Sequence, residues 1–146
     1  MIRVLTLDEM KTDLKLGGAC YRELQFGRPI DLDHMLVLWN HFYATKTGVI
    51  LVDEEDDEKV GVIGGVVYID PFDKNVVAQE LIWYVRPEKR SFAAAQALRV
   101  GFEDWARKQG ARYVRCAAPE QKSVLANLLK RSHYRHLEEV YEKELR

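Results

Sequence analysis

Along this chain the spacing of apolar positions switches between a helical and a strand period, and the switches mark its elements. Ile2 to Leu5 is short and apolar, as an opening strand requires. Thr6 followed by Glu9 has the form of a capping box, and Leu7, Met10 and Leu14 then share a helical face until Gly17 and Gly18 end it. From Ala19 to Ile30 the periodicity is poor. Tyr21, Leu24 and Phe26 can pack there or line a pocket, and Gly27 and Pro29 break the chain again. Asp31 is placed to cap a helix in which Leu32, Met35, Leu36, Trp39 and Phe42 follow the spacing of one buried face, with Gly48 closing it. Such a stripe is the mark of core packing more than of a cofactor site.

Val49 to Val52 reads as a strand, the acidic run Asp53 to Glu58 as a solvated hairpin tip, and Val60 to Ile69 as the returning strand. Gly61, Gly64 and Gly65 in that strand signal a bulge or the close approach of another backbone. Val76 to Val85 is apolar on both parities except at Gln79 and Glu80, which predicts a central strand covered on both faces. Ser91 can cap the next helix, whose core face is Ala95, Leu98, Phe102, Trp105 and Ala106. Arg107 and Lys108 suit its C-terminal dipole and Gly110 stops it. Arg112 to Ala118 predicts a short strand, Val124, Leu125, Leu128 and Leu129 one side of a helix, and Glu139 to Leu145 a charged, exposed or edge strand. The order implies a single domain over residues 1–146, a mixed α/β sheet with helices on both faces.

Composition narrows the function classes. A formal net charge of −1 over 146 residues argues against a large nucleic-acid footprint, which runs on phosphate neutralisation. Cys20 and Cys116 lack CxxC spacing, and His41, His133 and His136 lack metal-ligand spacing. The expectation is therefore no metal and reduced thiols in a cytoplasmic protein. No apolar run reaches the roughly 18 residues of a membrane span, and MIRVLTLDEM does not read as a secretory signal.

The chemistry concentrates in VVAQELIWYVRPEKRSFAAAQAL, residues 76–98. A strand, a turn with three cationic side chains and a helix start together suit an anion, because the first turn of a helix offers unpaired N–H groups and partial positive charge. Glu80, flanked by Ala78, Leu81 and Ile82, is a carboxyl that burial would push toward a higher pKa.

This stretch resembles the GCN5-related N-acetyltransferase (GNAT) family, including its small phage and bacterial members. Val85, Pro87 and Arg90 match the family's V-x-P-x-x-R turn. Arg90 to Ala95 is similar to its R/Q-x-x-G-x-G/A loop, with Ala93 and Ala95 in the glycine-type positions. Alanine at position 93 would cost roughly 1 kcal/mol if the loop needs a left-handed backbone there, and little if the residue is already helical. Trp105, Ala106 and Gly110 resemble the usual ending of that helix. Asn127 and Tyr134 match the downstream segment, while Leu129 stands at the position of a tyrosine general acid and His133 where glycine is common.

The resemblance implies a mostly antiparallel central sheet and an enzyme that moves an acetyl group from acetyl-coenzyme A to an amine of a small molecule or peptide, by direct attack in a ternary complex. It implies that Trp83, Tyr84 and Val85 lie along the pantetheine arm, with the pyrophosphate on Ser91, Phe92, Ala93, Ala94 and Ala95, aided by Lys89, Arg90 and Asn127. Glu80 would be the base, and Tyr21, Phe26, Tyr43 and Tyr134 would border the acceptor; a homodimer is left open. Ala93 and Leu129 also suit an alternative, a catalytically degenerate module that binds coenzyme A or a protein partner without turnover.

Overall fold

A computed structural model describes residues 1–13, 28–119 and 123–145. Leu14, Tyr21, Leu24 and Phe26 lie outside the described residues. Five strands form one sheet in sequence order: β1 (Ile2–Val4), β2 (Gly48–Glu55), β3 (Glu58–Ile69), β4 (Val76–Val85) and β5 (Tyr113–Arg115). The first four are antiparallel neighbours, and β5 joins β4 in parallel. Helices α1 (Leu7–Asp13) and α2 (Leu32–Ala44) cover one face. Helix α3 (Phe92–Lys108) covers the other, with α4 (Val124–Arg131) packed beside it. The expected mixed, mostly antiparallel sheet between helices is the architecture found.

Local signals place most of these elements. The Thr6 hydroxyl accepts from Glu9 N–H at 3.2 Å while Glu9 Oε2 accepts from Thr6 N–H at 2.9 Å, a complete capping box. Arg3 joins Glu9 and Glu54 across the edge of the sheet, which holds the Glu9 carboxyl well below the usual range, the Arg3 hydrogen bond being the largest cause. Asp31 caps α2 through His34 N–H at 2.9 Å, and Ser91 caps α3 through Ala94 N–H at 3.0 Å. The acidic run is a hairpin tip as expected, with Asp56 and Asp57 both at positive φ in a two-residue turn.

Three expectations change. Helix α2 ends at Ala44, with Lys46 taking the left-handed conformation (φ 57°), whereas Gly48 opens β2 because a Cβ there would lie 2.7 Å from Phe42 Cβ. Leu32 in α2 and Val124 in α4 are exposed instead of sharing their helices' buried faces. Glu139 to Leu145 forms no strand: the segment after α4 is exposed and extended, and no edge within the chain pairs with it.

The core divides into two layers. Val49, Leu51, Ile63, Ala78, Val85, Leu98, Phe102 and Ala106 pack between the sheet and α3. Leu5, Met10, Trp39, Ile50, Val52 and Val62 pack toward α1 and α2, where Trp39 meets Phe42 edge-on at 5.4 Å. Strand β4 serves both layers because its register slips: Gly64 pairs with Ile82 but Gly65 pairs with Glu80, leaving Leu81 as an extra residue. Ala78 and Glu80 therefore share the α3 face with Trp83 and Val85, despite the change of parity.

Gly65 permits this bulge. A Cβ on it would stand 2.2 Å from the Gln79 carbonyl oxygen and 2.6 Å from Phe102 Cζ, so neither the backbone nor the packed ring leaves room. Gly65→Ala is expected to destabilise the fold by roughly 1–3 kcal/mol, read as a lowered midpoint in urea, because overpacking here must displace backbone. An unchanged midpoint would show that β4 relaxes freely.

Candidate active site

The pairing of β4 with β5 covers only three positions, ending at Gln79 with Arg115. Beyond it the sheet supplies β4 with no neighbour strand on that side, and the two strands part. Glu80 is the first residue past the split and lies beside the Leu81 bulge. Its residue surface is 7% exposed, and Oε2 accepts one hydrogen bond, from Ala117 N–H at 3.0 Å. Burial pushes this carboxyl up to about 7, partly offset by the Ala117 bond. A carboxyl titrating near neutrality at the opening of a split sheet has the acid–base character that proton abstraction needs.

Around Glu80 the α3 side carries a second set of polar groups. Tyr134 donates its hydroxyl to Glu103 Oε1 at 2.8 Å, Arg99 pairs with the same oxygen, and Arg107 reaches Glu103 Oε2 at 3.3 Å. The Cys116 thiol lies 4.0 Å from the Tyr134 hydroxyl. Burial, then the charge of Glu80, pushes Cys116 up to about 12, so this thiol stays protonated and is a poor nucleophile. Tyr134 is likewise held above the ordinary phenol range, chiefly by burial.

At the far end of β4 the basic turn is folded by its own side chains. Arg90 Nε donates to Val85 O at 2.9 Å, and its guanidinium lies over the Tyr84 ring at 5.4 Å. Lys89 Nζ pairs with Glu55 at 2.7 Å, tying the turn to the β2–β3 hairpin. Pro87 to Lys89 forms a single 3-10 turn, and Ser91 then starts α3. Because the Ser91 hydroxyl takes Ala94 N–H and the Ser91 carbonyl takes Ala95 N–H, the N–H groups of Phe92 and Ala93 find no acceptor among the described residues. Ala93, Ala94 and Ala95 are all helical, and none has a positive φ. The alanine at the glycine-type position thus carries no left-handed strain.

The remaining sequence-derived candidates fall in several places. Trp83 packs toward α3, Tyr84 packs toward α2, and Val85 is buried. Asn127 is exposed on α4, whereas Leu129 is buried beside it. The Tyr43 hydroxyl donates to Leu5 O at 2.7 Å and accepts from Ile50 N–H at 3.2 Å, pinning α2 to the sheet. Tyr134 belongs to the buried Glu103 group, and Tyr21 and Phe26 lie outside the described residues. His133 adopts φ 66° immediately after α4, a conformation that explains why glycine suits this position. Among the described residues no cluster of His, Cys, Asp or Glu could hold a metal. Glu103 and Arg99 were not foreseen; their i, i+4 spacing was visible, but the burial of that helix face was not.

Known structures share this arrangement. No family model matches the sequence, and no curated protein sequence matches it. A predicted acetyltransferase from Clostridium acetobutylicum, solved with acetyl-CoA, superposes with a TM-score of 0.82 at 15% identity, covering 99% of this chain and 95% of that one. AAC(6')-Iy, in complex with the bisubstrate analogue CoA-S-monomethyl-acetylneamine, has a TM-score of 0.74 at 17% identity, over 100% and 97%. Ribosomal-protein-alanine N-acetyltransferase from Brucella melitensis biovar Abortus 2308 has a TM-score of 0.73 at 19% identity, over 99% of each chain. The chain has the fold of the GCN5-related N-acetyltransferases.

The Glu80 carboxyl gives the fold a distinctive pH response. Its pKa is raised on folding from 4.5 to about 7, so the folded chain holds this proton more tightly than the unfolded one. The associated stability is complete at low pH and is lost as pH rises through that window. Glu80→Gln, which keeps the shape without the charge, should be more stable than the parent above neutral pH, by on the order of 1–3 kcal/mol, and should flatten the profile. Denaturant titrations at several pH values test this; parallel profiles for the two proteins would place the Glu80 titration outside the folding equilibrium.

Proposed function

We propose that this chain is an acetyl-CoA-dependent N-acetyltransferase acting on a primary amine of a small molecule or peptide. The observation that carries the proposal is the buried Glu80 carboxyl, with a pKa of about 7, at the point where β4 and β5 part. The helix start at Phe92 and Ala93 lies in the same strand, turn and helix unit. A phosphate suits those two N–H groups and the dipole behind them. The split beside Trp83, Tyr84 and Val85 fits an extended pantetheine arm leading from the helix start toward Glu80, and Asn127 on α4 flanks the same arm. Ser91, Ala94 and Ala95 shape the cradle; Lys89 and Arg90 stiffen the turn through Glu55 and Val85, and add positive charge.

In this reading the acceptor arrives as an ammonium, because an alkyl amine with pKa near 10 is mostly protonated at neutral pH. Glu80, in its carboxylate form, takes one proton, and the nitrogen lone pair then attacks the thioester carbonyl carbon. The C–N bond forms, the C–S bond breaks, and the electron pair leaves with sulfur as a thiolate. Leu129 offers no proton and the Tyr134 hydroxyl is committed to Glu103, so the thiolate is protonated by solvent. Direct attack is favoured over an acyl-enzyme because the Cys116 thiol stays protonated.

A second reading, coenzyme A binding without turnover, is favoured by the apolar Leu129 and by the engagement of Lys89 with Glu55. Calorimetry with coenzyme A and acetyl-CoA, followed by thioester loss over an amine panel, distinguishes the two. Turnover should rise with pH through about 7, as Glu80 ionises. Glu80→Gln is expected to lower it roughly 100-fold or more while coenzyme A affinity changes little. Binding with no turnover on any amine supports the second reading, and no binding overturns both.

A further inference from the structure

The edge of the sheet beyond β5 and the segment that follows α4 are complementary. Strand β5 ends the sheet, and Tyr113 on it is 46% exposed. A cleft of about 580 Å³ runs along it, walled by Ala106 and Tyr134 on the α3 face and by Asp70 and Arg115 on the opposite face. A cleft that straddles a strand edge from both faces is the space an additional strand occupies. Arg107, Arg112, Arg115 and Arg135 border it. Arg115 is balanced by Asp70, and Arg107 by Glu103 and Asp104. Positive charge from Arg112 and Arg135 is left facing the groove.

Residues 138–145, EEVYEKEL, carry four glutamates against one lysine. Val140, Tyr141 and Leu145 are about as exposed as any apolar side chain in the molecule, at 85–86%. This segment is extended, acidic and apolar by turns, and it pairs with nothing in its own sheet. Its path leads away from β5: after Leu137 leaves the cleft, Glu142 pairs at 3.1 Å with Arg28, which precedes α2 on the other layer.

We propose that the groove along β5 receives residues 138–145 of a second copy of this chain, and that the exchange is reciprocal. A twofold dimer then buries Val140 and Tyr141 of each copy against the other, with glutamates of one segment meeting arginines of the facing groove. The argument does not depend on the acetyltransferase reading.

Light scattering over a concentration series, with the full chain at low salt, should report a dimer that weakens as salt rises. Val140→Asp with Tyr141→Asp alters only exposed positions, so the circular dichroism should stay unchanged while the dissociation constant rises at least about tenfold. Hydrogen exchange at Val114 should slow as protein concentration increases. A monomer throughout the series, or a dimer unaffected by the double substitution, would overturn the proposal. Concentration-independent protection of Val114 would overturn it as well, because it would mean that the chain's own segment fills the groove.

Discussion

The contact between Gly65 and the bulged part of β4 is the constraint on which the rest of this molecule depends. Phe102 of α3 and the Gln79 carbonyl both crowd the space where a side chain on Gly65 would stand. That crowding fixes the register slip that leaves Leu81 unmatched. The slip makes both parities of β4 useful, one supplying Ala78 and Val85 to the α3 layer and the other lending Ile82 and Tyr84 to the α2 layer. It also delivers Glu80 to the α3 face at the position where β5 departs. A glycine without a side chain thus helps to set where the only buried carboxyl of the split lies among the described residues.

Charge is handled differently on the two sides of the site. At the basic turn, cations are held by nearby partners: Lys89 by Glu55, and Arg90 by the Val85 carbonyl and the Tyr84 ring. These exposed contacts shape the turn more than they stabilise the fold, since solvent screens them. On the α3 side, Arg99, Glu103 and Tyr134 form a buried group in which each member satisfies another. Glu80 has no such cation and accepts only the Ala117 N–H, so burial dominates its proton affinity. The difference separates structural ions from a group poised to exchange a proton.

Much was legible in the residues because it depends on short-range chemistry. Thr6 with Glu9, Asp31, Ser91 and Gly110 announced helix ends that need only a side chain within three residues or a left-handed backbone. The strand, turn and helix unit from Val76 to Leu98 was readable for the same reason, and so was the glycine signal in β3. Glu80 stood out because it interrupts an apolar run. The alternating pattern of Glu139 to Leu145 was also visible, yet alternation records only a capacity to pair and says nothing of whether an edge is within reach.

The sequence by itself determined the elements, their caps, the acid–base candidate and the helix start suited to an anion, because each rests on neighbours along the chain. Only the tertiary structure decided that Ala93 is helical and unstrained, that Lys89 and Arg90 are engaged, and that Cys116, Glu103 and Tyr134 gather behind Glu80. The burial that moves the Glu80 carboxyl toward neutrality arises where β4, the segment after β5 and α3 come together. Those elements are far apart in sequence, and the desolvation they produce belongs to no one of them.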